Sequence, residues 1–221
     1  MTMFRKIAAE FIGTFALVFA GTGAIIDDSL TGKIGQIGIA MSFGLVVAVM
    51  IYSLGHISKA HFNPAVTIGF ASVGKFEKKH VLPYIAAQIG GAILASALLF
   101  MIFGNIGNLG ATLPRGSWMQ SFILEVVMTF FLMLVIISVA TDSRVKPEIS
   151  GIAIGGVVAL DALFGGAISG ASMNPARSLG PAIIGGIFDN QWIYLIAPVI
   201  GSLIAVVIYE YIRTEKKIAG G

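Results

Sequence analysis

Six long apolar runs dominate the pattern of hydrophobic and polar positions along the chain. They cover residues 7–26, 34–54, 81–103, 118–140, 149–168 and 192–212. Each is about twenty residues long, the length at which an α-helix crosses the hydrocarbon core of a bilayer. The first run is too long for the core of a signal peptide and no cleavage-like site follows it, so we expect it to be retained. The pattern predicts six membrane-spanning helices.

A nine-residue pattern, Ile-Ser-x-Ala-x-x-Asn-Pro-Ala, occurs twice and interrupts apolar sequence each time. It ends at Asn63-Pro64-Ala65 and again at Asn174-Pro175-Ala176, 111 residues later. A second pattern, Glu-x-x-x-Thr-Phe, begins at Glu10 and again at Glu125, 115 residues later. Self-similarity at a fixed offset is the signature of an internal repeat. We therefore predict one transmembrane domain over 1–221, with repeat halves of approximately 1–110 and 111–221.

Each Asn-Pro-Ala box precedes an apolar run of only ten residues, 64–73 and 175–184. Ten residues are too few to cross a bilayer, so both runs are predicted to be half-helices. Asparagine suits the N-cap and proline the first helical position, where its missing N–H costs nothing. Irregular backbone of this kind is tolerated at membrane depth only inside protein or beside a water-filled cavity. The boxes therefore point to a pore.

Composition and charge agree with a membrane protein and orient it. Hydrophobic residues make up 57% of the chain and charged residues only 11%, far from the average of a soluble domain. Eleven cations fall on one side of a six-span chain: Arg5, Lys6, Lys59, Lys75, Lys78, Lys79, Arg144, Lys146, Arg213, Lys216 and Lys217. Only Lys33, Arg115 and Arg177 fall opposite. The positive-inside rule places both termini in the cytoplasm, and this bias accounts for the basic pI without a nucleic-acid partner.

With three spans in each half, the second half must enter the membrane from the opposite face. The expected fold class is therefore all-α and integral to the membrane, with six tilted transmembrane helices plus two half-helices in an inverted repeat. The N-terminal ends of the half-helices, which carry partial positive charge, would meet near the midplane. The centre of the pore is predicted to be electropositive.

These motifs carry a family resemblance that covers essentially the whole chain. Residues 9–14, residues 55–58, both boxes and Arg177 resemble an aquaporin, a member of the major intrinsic protein family. Residues 169–181 are similar to the nodulin-like branch and its prokaryotic relatives. The resemblance implies a pore in every protomer and a homotetramer. We expect a cell membrane, plasma or inner, and the short termini favour a prokaryotic inner membrane.

For the boxes, the resemblance implies that the Asn63 and Asn174 side-chain amides donate hydrogen bonds to a passing water. A water held by two donors must turn its hydrogens outward, which breaks the hydrogen-bonded wire that a proton would need, while cations meet an electrostatic barrier. The chain shows no ATP-binding loop, metal-ligand cluster or nucleophile with its base. We expect passive flow of water and small neutral solutes, no enzyme activity, no cofactor and no metal.

Arg177 follows Asn174 by three residues, whereas the matched position in the first half is Val66. An arginine at membrane depth is costly and usually functional, although it could instead snorkel to the outer headgroups. The resemblance makes it the selectivity arginine, with Phe43, Ala162 and Ala171 as its partners in an outer filter. Water-selective members generally carry histidine where this chain has Ala162, which would widen the filter. We predict a channel for water that also passes glycerol, with a strictly water-selective channel as the alternative.

Several other polar residues lie within the apolar runs. By resemblance, Glu10 and Glu125 brace the loop backbones ahead of the half-helices, and Asp161 is expected to be buried and hydrogen-bonded. His56 and His61 would line the cytoplasmic vestibule, either as hydrogen-bonded residues or as a pH gate. The chain has no cysteine, so mercurial block should be absent.

Three other classes of membrane protein compete with the channel interpretation. Secondary transporters also use inverted repeats and broken helices, but an ion or proton path for coupling is not evident here. A scaffold without a pore would tolerate loss of both box asparagines. An ion channel is disfavoured because no ring of acidic residues flanks either box.

Overall fold

The computed structural model describes residues 1–213, and within that range the chain forms eight α-helices. They are α1 (Met3–Thr31), α2 (Gly35–Ser58), α3 (Pro64–Ser72), α4 (Val81–Phe103), α5 (Trp118–Thr141), α6 (Ser150–Ser169), α7 (Pro175–Gly185) and α8 (Gln191–Ile212). Short 3₁₀ turns at Lys78–His80, Gly107–Gly110 and Pro147–Ile149 lie in three of the connections. Of the cations used to orient the chain, Lys216 and Lys217 lie outside the described residues.

Six of these helices are long and apolar enough to cross a membrane: α1, α2, α4, α5, α6 and α8. The prediction of an all-α membrane protein with six spans is therefore confirmed. The spans are generally longer than the apolar runs that predicted them, and α1 takes in Arg5, Lys6, Asp27 and Asp28. An apolar run marks the hydrocarbon slab, whereas helical hydrogen bonding continues into water. α1 ends only at Gly32, whose left-handed conformation lets its N–H donate to the Asp28 carbonyl.

The two short helices begin at the predicted boxes. Asn63 is the N-cap of α3 and its side-chain oxygen accepts a hydrogen bond from the Ala65 N–H. Asn174 caps α7 in the same way, accepting from the N–H groups of Ala176 and Arg177. A proline follows each cap, as the sequence predicts. α3 and α7 have 9 and 11 residues, so neither is long enough to span a bilayer.

The halves of the chain interlock rather than stand side by side. α1 packs against α4 in the first half as α5 packs against α8 in the second, and α2 packs against α6 between them. α3 lies against α8, and α7 lies against α4. Each half-helix is therefore held by a spanning helix of the other half.

Close contacts between backbones at glycines make this packing possible. A Cβ atom at Gly44 would lie 2.5 Å from the Gly155 carbonyl oxygen, and a Cβ at Gly155 would collide with the Gly44 carbonyl. Gly91 approaches α1, and Gly201 approaches α5, in the same manner. Without a hydrophobic force between helices in lipid, such small residues create the packing contacts.

The crossing of α2 and α6 gives a prediction with a matched control in the next residue. Gly155→Ala should destabilise the protein by about 1–3 kcal/mol because the backbones must separate. Gly156→Ala should not, because a Cβ at Gly156 meets nothing within 4 Å. Thermal unfolding in detergent compares the two variants. Equal midpoints for both would contradict the close approach.

Candidate functional site

Two irregular loops lead into the half-helices and share an unusual backbone conformation. Phe62 has a φ of 48° and Met173 a φ of 52°, while Ala60 and Ala171 have φ values of 51° and 41°. These are matched positions, 111 residues apart. A left-handed conformation at a residue other than glycine costs of order 1–3 kcal/mol and persists only when its surroundings enforce it. Something must therefore hold both loops in place.

Two buried carboxylates hold the loop backbones. Glu10 on α1 accepts hydrogen bonds from the His61 N–H at 3.0 Å and the Phe62 N–H at 2.7 Å. Glu125 on α5 accepts from the Ser172 N–H and the Met173 N–H, both at 2.8 Å. Each carboxylate thus satisfies two backbone donors that the loop could not pair within itself, a necessity at membrane depth.

Further buried polar residues, whose supporting role the sequence interpretation missed, also hold the loops. The Tyr84 hydroxyl donates to the Ser58 carbonyl at 2.9 Å, and the Tyr194 hydroxyl donates to the Ser169 carbonyl at 2.7 Å. The side-chain amide of Gln88 donates to Glu10 at 2.8 Å. The signal that could have found the tyrosines is their offset of 110 residues, nearly that of the boxes.

The box asparagines link one loop to the other. The Asn63 amide nitrogen donates to the Met173 carbonyl at 2.7 Å, and the Asn174 amide nitrogen donates to the Phe62 carbonyl at 2.9 Å. The acceptors are the left-handed residues that precede the opposite box. Each amide group has two hydrogens, so one hydrogen of each asparagine remains beyond this cross-link. Both asparagines line the same cavity.

That cavity has a volume of about 860 Å³ and extends along α2 and α6, which line it over several turns. At one end it is lined by all four predicted filter residues, Phe43, Ala162, Ala171 and Arg177. It continues past the box asparagines to a polar end whose lining includes His56, Lys59, Lys75 and Glu148. The cavity thus brings together the box asparagines, the four predicted filter residues and both predicted vestibule histidines.

Arg177 is only 1% exposed, and its guanidinium contacts two neighbouring groups. One terminal nitrogen donates to the Gly110 carbonyl at 2.7 Å. The guanidinium carbon lies 5.0 Å from the centroid of the Phe43 ring, within range of a cation–π interaction. Arg177 therefore lines the cavity and does not snorkel outward. The matched Val66 also lines the cavity, so its electrostatics differ between the two halves.

The remaining predicted residues are placed differently from one another. His56 is exposed, whereas His61 is buried, with its Nδ1 atom 3.1 Å from the Thr67 hydroxyl. Asp161 is buried as expected, but the expectation that it is hydrogen-bonded fails at its Oδ2 atom, which has no partner among residues 1–213. Asp161 lies one residue before Ala162 but does not line the cavity.

No cluster of side chains suited to a metal ion occurs within the described part of the chain. Beside the boxes and Arg177, the polar groups around the cavity are amides, a guanidinium and the His61 imidazole, while Lys59, Lys75 and Glu148 lie at its polar end. Their arrangement can bind and orient neutral hydrogen-bonding molecules, and it places fixed positive charge beside them.

Comparisons with known proteins agree with this architecture. A family model described as major intrinsic protein matches residues 1–209. Nodulin-26 of Glycine max is 46% identical over 215 residues, covering 96% of this chain and 79% of its own. Aquaporin NIP1-1 of Oryza sativa subsp. japonica is 49% identical over 215 residues, covering 96% and 76%. Aquaporin NIP3-1 of Arabidopsis thaliana is 49% identical over 222 residues, covering 96% and 69%.

A solved structure extends the comparison to three dimensions. The aquaglyceroporin from Plasmodium falciparum superimposes with a TM-score of 0.87 at 28% identity, covering 96% of this chain and 97% of that one. The nodulin-like resemblance is confirmed by the relatives. The prokaryotic part of the interpretation is not supported, because these similar relatives are plant proteins.

The carboxylate supports give a stability prediction. Glu125→Gln keeps the shape of the side chain but replaces one acceptor oxygen with a donor, so at least one loop N–H loses its acceptor. A buried unsatisfied N–H costs about 1–3 kcal/mol, which corresponds to about 2–4 °C in unfolding midpoint per kcal/mol for a chain of this size. Thermal unfolding in detergent measures the shift. Glu148→Gln on an exposed turn is the control, and an equal midpoint for both variants would contradict the bracing role.

Proposed function

The chain belongs to the major intrinsic protein family, and on that premise we propose that it is a passive membrane channel for water and small neutral solutes, including glycerol. One transmembrane domain with repeat halves of approximately 1–110 and 111–221 would form the whole pore. Flow through it follows the gradient of the solute and excludes protons and ions.

The observation that carries this proposal is the meeting of two helix N-terminal ends beside one cavity. Asn63 and Asn174 cap these ends and line the lumen, each with one amide hydrogen beyond those spent on the loop cross-link. Two such donors orient the oxygen of a passing water and turn its hydrogens outward. A proton wire is then interrupted at this point, and the partial positive charge of the helix ends repels cations.

The solute range follows from the four proposed filter residues. Arg177 offers a fixed donor to a hydroxyl or water oxygen, and Phe43 offers an apolar face. Ala162 and Ala171 contribute only methyl groups, which leaves room for a carbon backbone beside the guanidinium. Glycerol carries hydroxyls along one edge and carbon along the other, so it matches a filter with a hydrogen-bond donor on one side and apolar groups on the other. A strictly water-selective channel is the alternative, favoured by the Phe43 ring beside Arg177.

The proposed surroundings follow from charge and family. We place the protein in the cell membrane with both termini in the cytoplasm, because nine of the cations among residues 1–213 flank one side of the six spans. We propose a homotetramer by analogy with the family, and no enzyme activity. The inverted repeat is the only feature that favours a secondary transporter as a second candidate. The polar groups lining the cavity supply no evident path for a coupling ion or proton.

Light scattering from reconstituted vesicles tests the function. Vesicles are shrunk with an impermeant osmolyte to measure water flow, and then exposed to glycerol to measure re-swelling, against protein-free vesicles. We expect fast shrinkage and fast re-swelling. Fast shrinkage with slow re-swelling would establish the water-selective alternative, and no change in either rate would refute the channel.

The filter placement is tested by restoring a ring. Ala162→His should lower glycerol permeability by about tenfold or more, the effect of a barrier of about 1.4 kcal/mol, because the imidazole occupies the space beside Arg177. Water permeability should be spared. Ala167→His is the control, since Ala167 is an exposed position of the same helix outside the cavity. Unchanged glycerol flux in Ala162→His would remove Ala162 from the filter.

A further inference from the structure

Gly21 on α1 directly contacts the aromatic ring of the proposed filter. A Cβ atom built on Gly21 would lie within 3.0 Å of three carbons of the Phe43 ring, Cδ1, Cε1 and Cζ. Real Cβ atoms essentially never approach so closely. The α1 backbone thus forms a flat wall against one edge of the ring, with no side chain between them.

The ring is bounded on its other sides by groups that fix its position. The Arg177 guanidinium lies over its face and is itself held by the Gly110 carbonyl. Leu17, one turn before Gly21 on the same face of α1, lines the cavity together with Phe43. Because Phe43 lines the cavity, we expect a ring displaced from the α1 wall to move toward the lumen.

We infer that Gly21 is a specificity-determining residue, because the missing side chain lets the Phe43 ring stand back from the lumen and sets the aperture of the filter. This inference rests on the proposed function, since it assigns the width of that same filter. Gly21 acts through Phe43 and is a positioning residue that touches no solute.

The second half of the chain offers an internal comparison. Gly21 is matched by Ile136 at the offset of the glutamate pattern, and Phe43 is matched by Ile154 at the offset of the boxes. Both isoleucines line the cavity. In the second half, α5 carries the bulky Ile136 in place of Gly21, and α6 carries the aliphatic Ile154 in place of the Phe43 ring. A ring thus occurs only in the half whose α1-type helix carries glycine at the matched position.

The test is Gly21→Ala. The Cζ atom of the ring, 2.5 Å from the new Cβ, must retreat by about 0.9 Å to reach the 3.4 Å at which ordinary contact begins, and the Cε1 atom, which is nearer, must retreat further. The ring moves because it is a rotatable side chain, whereas the α1 backbone is fixed against Gly91 of α4. We expect the ratio of glycerol to water permeability to fall by about tenfold. Gly23→Ala is the matched control, since its Cβ would lie 3.5 Å from Leu99 at ordinary contact.

A double-mutant cycle separates this role from a general packing defect. Phe43→Leu removes the ring, so Gly21→Ala should change the permeability ratio little when it is added to Phe43→Leu. An undiminished effect in that background would overturn the inference, and so would an unchanged ratio in Gly21→Ala alone. If Gly21→Ala fails to fold, the variant that combines Gly21→Ala with Phe43→Leu decides. Recovery of folding and of glycerol flux in this double variant supports the inference, and a folding defect equal to that of Gly21→Ala alone refutes it.

The parent protein distinguishes failure of the inference from failure of the proposed function. A parent that conducts neither water nor glycerol contradicts the channel itself. A parent that conducts both, with a ratio insensitive to Gly21→Ala, leaves the channel intact and removes only the role of Gly21.

Discussion

The structure depends on one constraint, which is that two stretches of irregular backbone must be fully hydrogen-bonded at membrane depth. Unpaired N–H and C=O groups there cost several kcal/mol each, since no water competes for them in hydrocarbon. Glu10 and Glu125 satisfy donors of each loop, and the box asparagines satisfy acceptors of the opposite loop. The same contacts that make the loops tolerable also fix both helix ends beside one cavity.

This constraint connects stability to transport. Because each asparagine bonds to the loop of the other half, neither half can place its own box correctly alone. The carbonyls of Phe62 and Met173, both in left-handed conformations, accept from the asparagine of the opposite box. The hydrogen bond from that asparagine therefore offsets part of the cost of the strained backbone. Each asparagine keeps one amide hydrogen beyond this cross-link, and both asparagines line the cavity. In the proposed function, selectivity against protons is thus a consequence of how the backbone is satisfied.

Sequence patterns predicted the elements well because length, apolarity and N-cap chemistry are local properties. The boxes located both half-helices to within a residue, since asparagine and proline act at their own positions. The cross-link between Asn63 and the Met173 carbonyl was not predictable from the sequence. It depends on a left-handed backbone conformation that residues other than glycine seldom adopt. Asp161 shows the opposite error: a buried acid was expected to find partners, but its Oδ2 atom has none among residues 1–213, and Asp161 does not line the cavity. The contact of Gly21 with Phe43 likewise depends on the packing of α1 against α2, which no local pattern specifies.

The central claim is that the paired asparagines and helix ends pass water while stopping protons. Its most direct test records both flows in the same reconstituted vesicles, using light scattering for water and an enclosed pH-sensitive dye for protons under an imposed voltage. The account predicts rapid shrinkage with a weak dependence on temperature, as for water moving through an open pore, and an internal pH that stays constant. An internal pH that follows the voltage in proportion to the amount of protein, or shrinkage no faster than in protein-free vesicles, would contradict it.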